Sequence, residues 1–202
     1  MMSDEQNSLY QSMMYLMNNR KARTLETART ESFSSEFEAL FFEHWPNVYR
    51  LLCRLVGDPA EAEDLALETF FRLYQHHPSP SDEFNLGGWL HRVATNLGLH
   101  SIRSFKRREQ YETAAGRGVL VELPENQPAE ILAREEDRHL ARQALARMDD
   151  RRAQLLILRY SGLAYKDIAR ALGLAPSSIG PLLLRAEREF EKHYRLLAQE
   201  VT

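Results

Sequence analysis

The chain has 202 residues, 26 basic and 29 acidic side chains and a net charge of −3, and 44% of it is apolar. That length suits two small cores better than one, and the apolar content with only 9 Gly and 8 Pro excludes a disordered chain or a loop-rich disulfide scaffold. A single cysteine, Cys53, excludes an internal disulfide and a cysteine-based metal site, and its apolar setting in "YRLLCRLV" predicts a buried thiol.

The N-terminal stretch "MMSDEQNSLYQSMMYLMNNRKAR" lacks the basic start, apolar middle and small-residue cleavage site of a signal peptide. No run approaches the ~20 apolar residues of a membrane span, so a cytoplasmic protein without membrane insertion is expected. Within residues 1–32, "LYQSMMYLM" fits either an amphipathic docking helix or an unstructured tail. Phe37, Leu40, Phe41, His44, Val48, Leu51, Leu52 and Leu55 recur at three and four residues and predict a core helix, with a kink at Pro46. Asp58 then reads as an N-cap, followed by Pro59 in the first turn and Glu61 in the position of a capping box. The helix it opens puts Leu65, Phe70 and Leu73 on one side and Glu61, Asp64 and Glu68 on the other.

Residues 76–88, "HHPSPSDEFNLGG", predict a loop, and a helix follows from Trp89 to Arg108. From 86 to 108 there is no acid, while Arg92, Arg103, Lys106, Arg107 and Arg108 stand among Trp89, Asn96 and His100. Lys and Arg neutralise phosphates, and aromatic and amide groups stack on or hydrogen-bond to unpaired bases, so this stretch points to nucleic acid. Acids then dominate from Glu112 to Asp137, and "GVLVEL" at 118–123, flanked by Gly116, Pro124 and Pro128, reads as part of a linker. Helical periodicity resumes near Pro128 and runs to Arg147, and a further helix spans Asp150 to Tyr160 before Gly162. Next comes a short helix with Ile168, Ala169 and Leu172 inside, a turn at Gly173, and a helix from about Ser177. That order is a helix-turn-helix.

The second helix of that pair carries leucines where polar groups usually reach bases. Phosphate contacts from Ser177, Ser178 and the helix N-terminus are therefore expected to carry more of the binding, with Lys166, Arg185 and Arg188 nearby. No histidine stands beside a positioned nucleophile, and there is no phosphate-cradling glycine loop and no spaced set of metal ligands. Neither catalysis nor a cofactor nor a metal is expected.

The runs "FEALFFEHWPNVYRLLCRLVGDPAEAEDLALETFFRLY", "GWLHRVATNLGLHSIRSFKRR" and "LILRYSGLAYKDIARALGLAPSSIGPLLLRAEREF", in that order around an acidic linker, resemble a bacterial RNA polymerase sigma factor of the extracytoplasmic-function (ECF) group. The resemblance implies an all-α fold of two small domains: region 2 over 33–110, a linker over 111–132 and region 4 over 133–202, preceded by an extension over 1–32. It implies that Glu61, Asp64, Leu67, Glu68 and Phe71 dock on the core RNA polymerase. Trp89, Arg92, Asn96, His100, Arg103, Lys106, Arg107 and Arg108 would melt and read the promoter's minus-ten element, with Asn96 at the pocket for a flipped base. Region 4 would read the minus-thirty-five element and rest on the polymerase flap, and the linker would thread the enzyme's nucleic-acid channels. An anti-sigma factor is a further implied partner. The residues themselves also admit a helix-turn-helix regulator acting without polymerase, and a polymerase-binding decoy that no longer reads promoters.

Overall fold

The computed structural model describes residues 8–15, 27–76, 85–114 and 129–201, and the side chains of 27–35, 76, 106–114, 129–133 and 201 lie outside that description. The linker residues 115–128, with "GVLVEL", and the side chains of Lys106, Arg107 and Arg108 therefore lie outside it too. Among the described residues the regular elements are eight helices, α1 over 8–15, α2 Thr27–Val56, α3 Pro59–His76, α4 Leu86–Ala114, α5 Ala129–Arg147, α6 Asp150–Tyr160, α7 Tyr165–Leu172 and α8 Pro176–Val201. The chain forms two compact units, Met1–Ala94 and Thr95–Thr202.

In the first unit α2 packs along α3. Phe37, Phe41, Trp45, Val48 and Leu52 are buried on α2, and Phe70 and Leu73 on α3. Rings set the spacing: Phe41 stacks on Trp45 at 4.9 Å between centroids and tilts against Phe70 at 4.8 Å. Of the predicted side of α3, Phe70 and Leu73 are buried and Leu65 is only half-buried, and the face is completed by Ala62, Ala66 and Thr69. Alanines let two helix backbones approach closely, and a longer side chain at 62 or 66 would hold α2 away. The Thr69 hydroxyl donates to the Leu65 carbonyl at 2.8 Å, which satisfies it inside the core.

Pro46 stands inside α2 without ending it, and Cys53 is half-buried, more open than its neighbours predict. Asp58 acts as expected, its carboxylate accepting from the Glu61 N–H at 2.9 Å. The loop before α4 ends earlier than predicted. Asn85 accepts from the Gly88 N–H at 3.0 Å and so caps the helix at Leu86, carrying Gly87 and Gly88 into its first turn. Of the two readings of the N-terminal stretch, the structure takes the helical one for 8–15: Tyr10 and Met13 are buried, and the Tyr10 ring lies 5.4 Å from those of Phe41 and Phe42. A helix of this length has marginal stability in water, so this packing holds it.

In the second unit α8 is the hub, packing on α5, α6 and α7. Leu155, Leu156 and Leu158 of α6, Ile168 and Ala169 of α7, and Ile179, Leu183, Ala186 and Leu197 of α8 form its core. Asp149 caps α6 by accepting from the N–H groups of Arg151 at 3.1 Å and Arg152 at 3.4 Å. Gly173, at φ +65°, stops α7, and the Leu174 N–H reaches back to the Ala169 carbonyl at 2.8 Å. This left-handed residue and its 6→1 bond turn the chain directly into α8.

Candidate functional site

Three surfaces carry the residues singled out by sequence. On α4, Trp89, Arg92, Asn96, His100 and Arg103 follow one another at three- and four-residue steps and share one face. Arg92, Asn96 and His100 are exposed, and Trp89 and Arg103 are half-buried. His91, on a neighbouring face, bonds through Nδ1 to the Gly87 carbonyl at 2.7 Å. Burial, and to a lesser degree the nearby His44, hold the His91 pKa below 6.5 against that hydrogen bond. The basic stretch therefore carries an uncharged imidazole at neutral pH.

Two of the α4 side chains make defined bonds within the second unit. The Asn96 amide oxygen accepts from Gln154 Nε2 at 2.6 Å. The Arg103 guanidinium donates to the Met148 carbonyl at 2.9 Å and the Ala146 carbonyl at 3.3 Å, and it pairs with Asp150. It thus closes the carbonyl end of α5, where a cation also meets the negative end of the helix dipole. Sequence reasoning offered Arg103 only to phosphates. Its partners lie 43 to 47 residues away, and no local signal marks them.

On α3, Asp64 is exposed and Glu61, Leu67, Glu68 and Phe71 are partly so, all opposite the Ala62–Ala66–Phe70 side. The Glu68 carboxylate accepts from Arg72 Nε at 2.9 Å, an i,i+4 pair that fixes its position on the surface. The result is an acidic stripe edged by a leucine and a phenylalanine.

The third surface is the helix-turn-helix α7–α8. Lys166, Ser177, Arg185 and Arg188 are exposed and Ser178 is half-buried. Behind them Glu189 accepts from the Asp149 N–H at 3.1 Å and pairs with Arg152, tying α8 to the start of α6. Desolvation pushes the Glu189 pKa up, but the bonds from Arg152 and Asp149, with His193 nearby, outweigh it and the net shift is downward from 4.5. A separate apolar groove of about 520 Å³, lined by Leu145, Leu156, Ile157, Tyr160 and Phe190, opens between α5, α6 and α8. Among the described residues no cluster of three or more His, Cys, Asp or Glu could hold a metal ion, and no helix is long and apolar enough to cross a membrane.

The sequence pattern of Sigma-70 region 2 matches residues 40–109, and that of Sigma-70 region 4 matches residues 138–190. The ECF RNA polymerase sigma factor SigL of Mycobacterium tuberculosis is 32% identical over 165 residues, covering 81% of this chain and 89% of SigL. The chain belongs to the ECF sigma factors. SigE of Mycolicibacterium smegmatis, also an ECF RNA polymerase sigma factor, is 31% identical over 170 residues, covering 78% of this chain but only 61% of SigE. A solved structure, the sigma factor RpoE with the anti-sigma factor NepR from Bartonella quintana, covers 79% of this chain and 97% of its own at 22% identity and a TM-score of 0.48.

The region 2 match of this sigma factor takes in α3 and the basic stripe of α4, and the region 4 match takes in α6, α7 and the first half of α8. Residues 8–15 precede the region 2 match. Sequence reasoning passed over Leu184 and Pro181, which the structure exposes in the same stripe as Ser177, Arg185 and Arg188. The signal that could have found them is periodicity: 177, 181, 184, 185 and 188 share one helical face, and Ile179, Leu183 and Ala186 the other.

Proposed function

We propose that this sigma factor binds core RNA polymerase and directs it to a restricted promoter set, acting as the specificity subunit and not as a catalyst. The reading assigns 33–110 to region 2, 111–132 to the linker, 133–202 to region 4 and 1–32 to an N-terminal extension, in a protein working in the cytoplasm. The acidic stripe Glu61, Asp64 and Glu68, edged by Leu67 and Phe71, docks on the polymerase, and the apolar groove of region 4 seats the flap. Trp89, Arg92, Asn96, His100, Lys106, Arg107 and Arg108 engage the minus-ten element, whereas Arg103, held by the Ala146 and Met148 carbonyls and by Asp150, braces α4 instead of meeting DNA. Lys166, Ser177, Ser178, Arg185 and Arg188 engage the minus-thirty-five element. An anti-sigma partner is added on family membership alone.

The observation that carries this reading is the α4 face itself, where an aromatic ring, an amide and arginines line up on a helix stretch without a single acid from 86 to 108. Extracting a base from the duplex costs a few kcal/mol, which stacking and phosphate contacts along such a face offset. DNA must displace the Gln154–Asn96 hydrogen bond, an exchange of one polar partner for another with little net cost. Two modest DNA contacts held on one enzyme gain from effective concentration, so neither domain needs high affinity alone.

The test is run-off transcription over a promoter library with core polymerase and the wild-type or Asn96→Ala chain. Specific transcripts that fall about tenfold with the substitution, at unchanged core binding, are the expected result. Transcripts indifferent to Asn96 would remove it from base reading, and failure to bind core would sink the sigma-factor reading.

A further inference from the structure

The outward face of α8 holds an arrangement that phosphate binding does not explain. Leu184 is 49% exposed, and Pro181 is exposed one turn before it. Around them stand Ser177, Arg185 and Arg188, all exposed and all on the same helical face. Several basic residues elsewhere on α8 and against it are neutralised: Arg195 pairs with Glu191, Arg147 with Glu200 and Arg152 with Glu189. Neither Arg185 nor Arg188 meets an acid among the described residues. An apolar strip flanked by unpaired guanidinium groups fits a polyanion whose interior surface is partly apolar. Duplex DNA is such a ligand.

A leucine has no hydrogen-bonding group, so it gains nothing from the phosphates or from the donor and acceptor edges of bases. The apolar feature of the major-groove floor is the C5-methyl group of thymine. We propose that Leu184, with Pro181 beside it, reads thymine methyl groups in the upstream promoter element while Arg185 and Arg188 supply the charge. The proposal deepens, and rests on, the reading of α7–α8 as the helix-turn-helix that enters the major groove. It assigns base specificity to a leucine-rich helix that otherwise shows few polar groups to a base edge.

Replacing thymine by deoxyuridine removes only the methyl group and leaves every hydrogen-bonding group and charge in place, so the decisive change is made in the DNA and the fold is untouched. Duplexes are first selected from a randomised upstream library by the full chain bound to core polymerase. Each thymine of the selected element is then exchanged singly for deoxyuridine, and affinity is measured with wild-type and Leu184→Ala chains. The expected result is about fourfold weaker binding at one or two positions, the weight of one buried methyl, and loss of that discrimination in Leu184→Ala. Deoxyuridine accepted at every position, selected elements without thymine, or discrimination that survives Leu184→Ala would each overturn the proposal while leaving the helix-turn-helix reading intact. Absence of any upstream enrichment, or upstream binding indifferent to a paired Arg185→Ala and Arg188→Ala change, overturns both.

Discussion

Leu183 and Leu184 are neighbours of the same type, yet one is 3% exposed and the other 49%. Truncating each to alanine therefore separates packing from recognition. Leu183 points into the core shared with Ile168 and Ile179, so Leu183→Ala leaves a cavity as well as losing transfer energy, about 3–5 kcal/mol. Leu184→Ala removes carbons that are half in water and opens no closed cavity, so about 1 kcal/mol or less is expected. For a unit of roughly 100 residues, 1 kcal/mol moves the midpoint about 4–8 °C, so the first change lowers it by at least about 12 °C and the second by no more than about 4–8 °C. Urea and thermal unfolding followed by far-UV circular dichroism give the sizes, and hydrogen exchange of the α7 and α8 amides locates the loss. Promoter discrimination should show the reverse order, with the folded Leu184→Ala chain impaired. Equal destabilisation by the two substitutions would refute the assignment of inward and outward faces, and with it the reason for regarding Leu184 as a reading residue.

Gly173→Ala should cost about 1–2 kcal/mol in the same unfolding assay, because φ is +65° while nothing lies within 4 Å of an added Cβ, so the penalty is conformational rather than steric. Asp64→Lys with Glu68→Lys should weaken capture of core polymerase at least tenfold without moving the midpoint, since both carboxylates face outward; unchanged capture would remove the α3 stripe from the docking surface. Acidification should act in two steps. His91, with its folded pKa below 6.5, leaves the unfolded chain binding more protons, so the first unit loses stability as the pH drops from about 6.5 toward the folded value, and His91→Gln should flatten that step. Glu189 is held below 4.5 in the folded state, so its contribution is present above that pH and disappears as the pH falls through the folded value. Tryptophan fluorescence follows the first step, because Trp45 and Trp89 both lie in the first unit, and exchange of the α6 and α8 amides follows the second. A Glu189→Gln chain that keeps the second step would refute the assignment.

The sequence by itself determined what depends on near neighbours in the chain. Asp58 starts a helix through its own carboxylate, and Gly173 stops one because it tolerates a left-handed backbone. Three- and four-residue periodicity fixed the α2 stripe, and the absence of acids from 86 to 108 marked the α4 face. Asn85 was equally local, and was hidden only because Gly87 and Gly88 read as loop. Tertiary structure decided what depends on who comes close. Ala62 and Ala66 completed the buried side of α3 because a neighbouring helix needed room, and Leu65 was turned aside. Residues 8–15 became a helix because Phe41 and Phe42 were there to receive Tyr10. Arg103 became the closure of a helix more than 40 residues away, and Leu184 was parted from Leu183 by a rotation of about 100° along α8. A side chain's type sets what it can do, and its partners across the fold, absent from its neighbourhood in sequence, set which of those things it does.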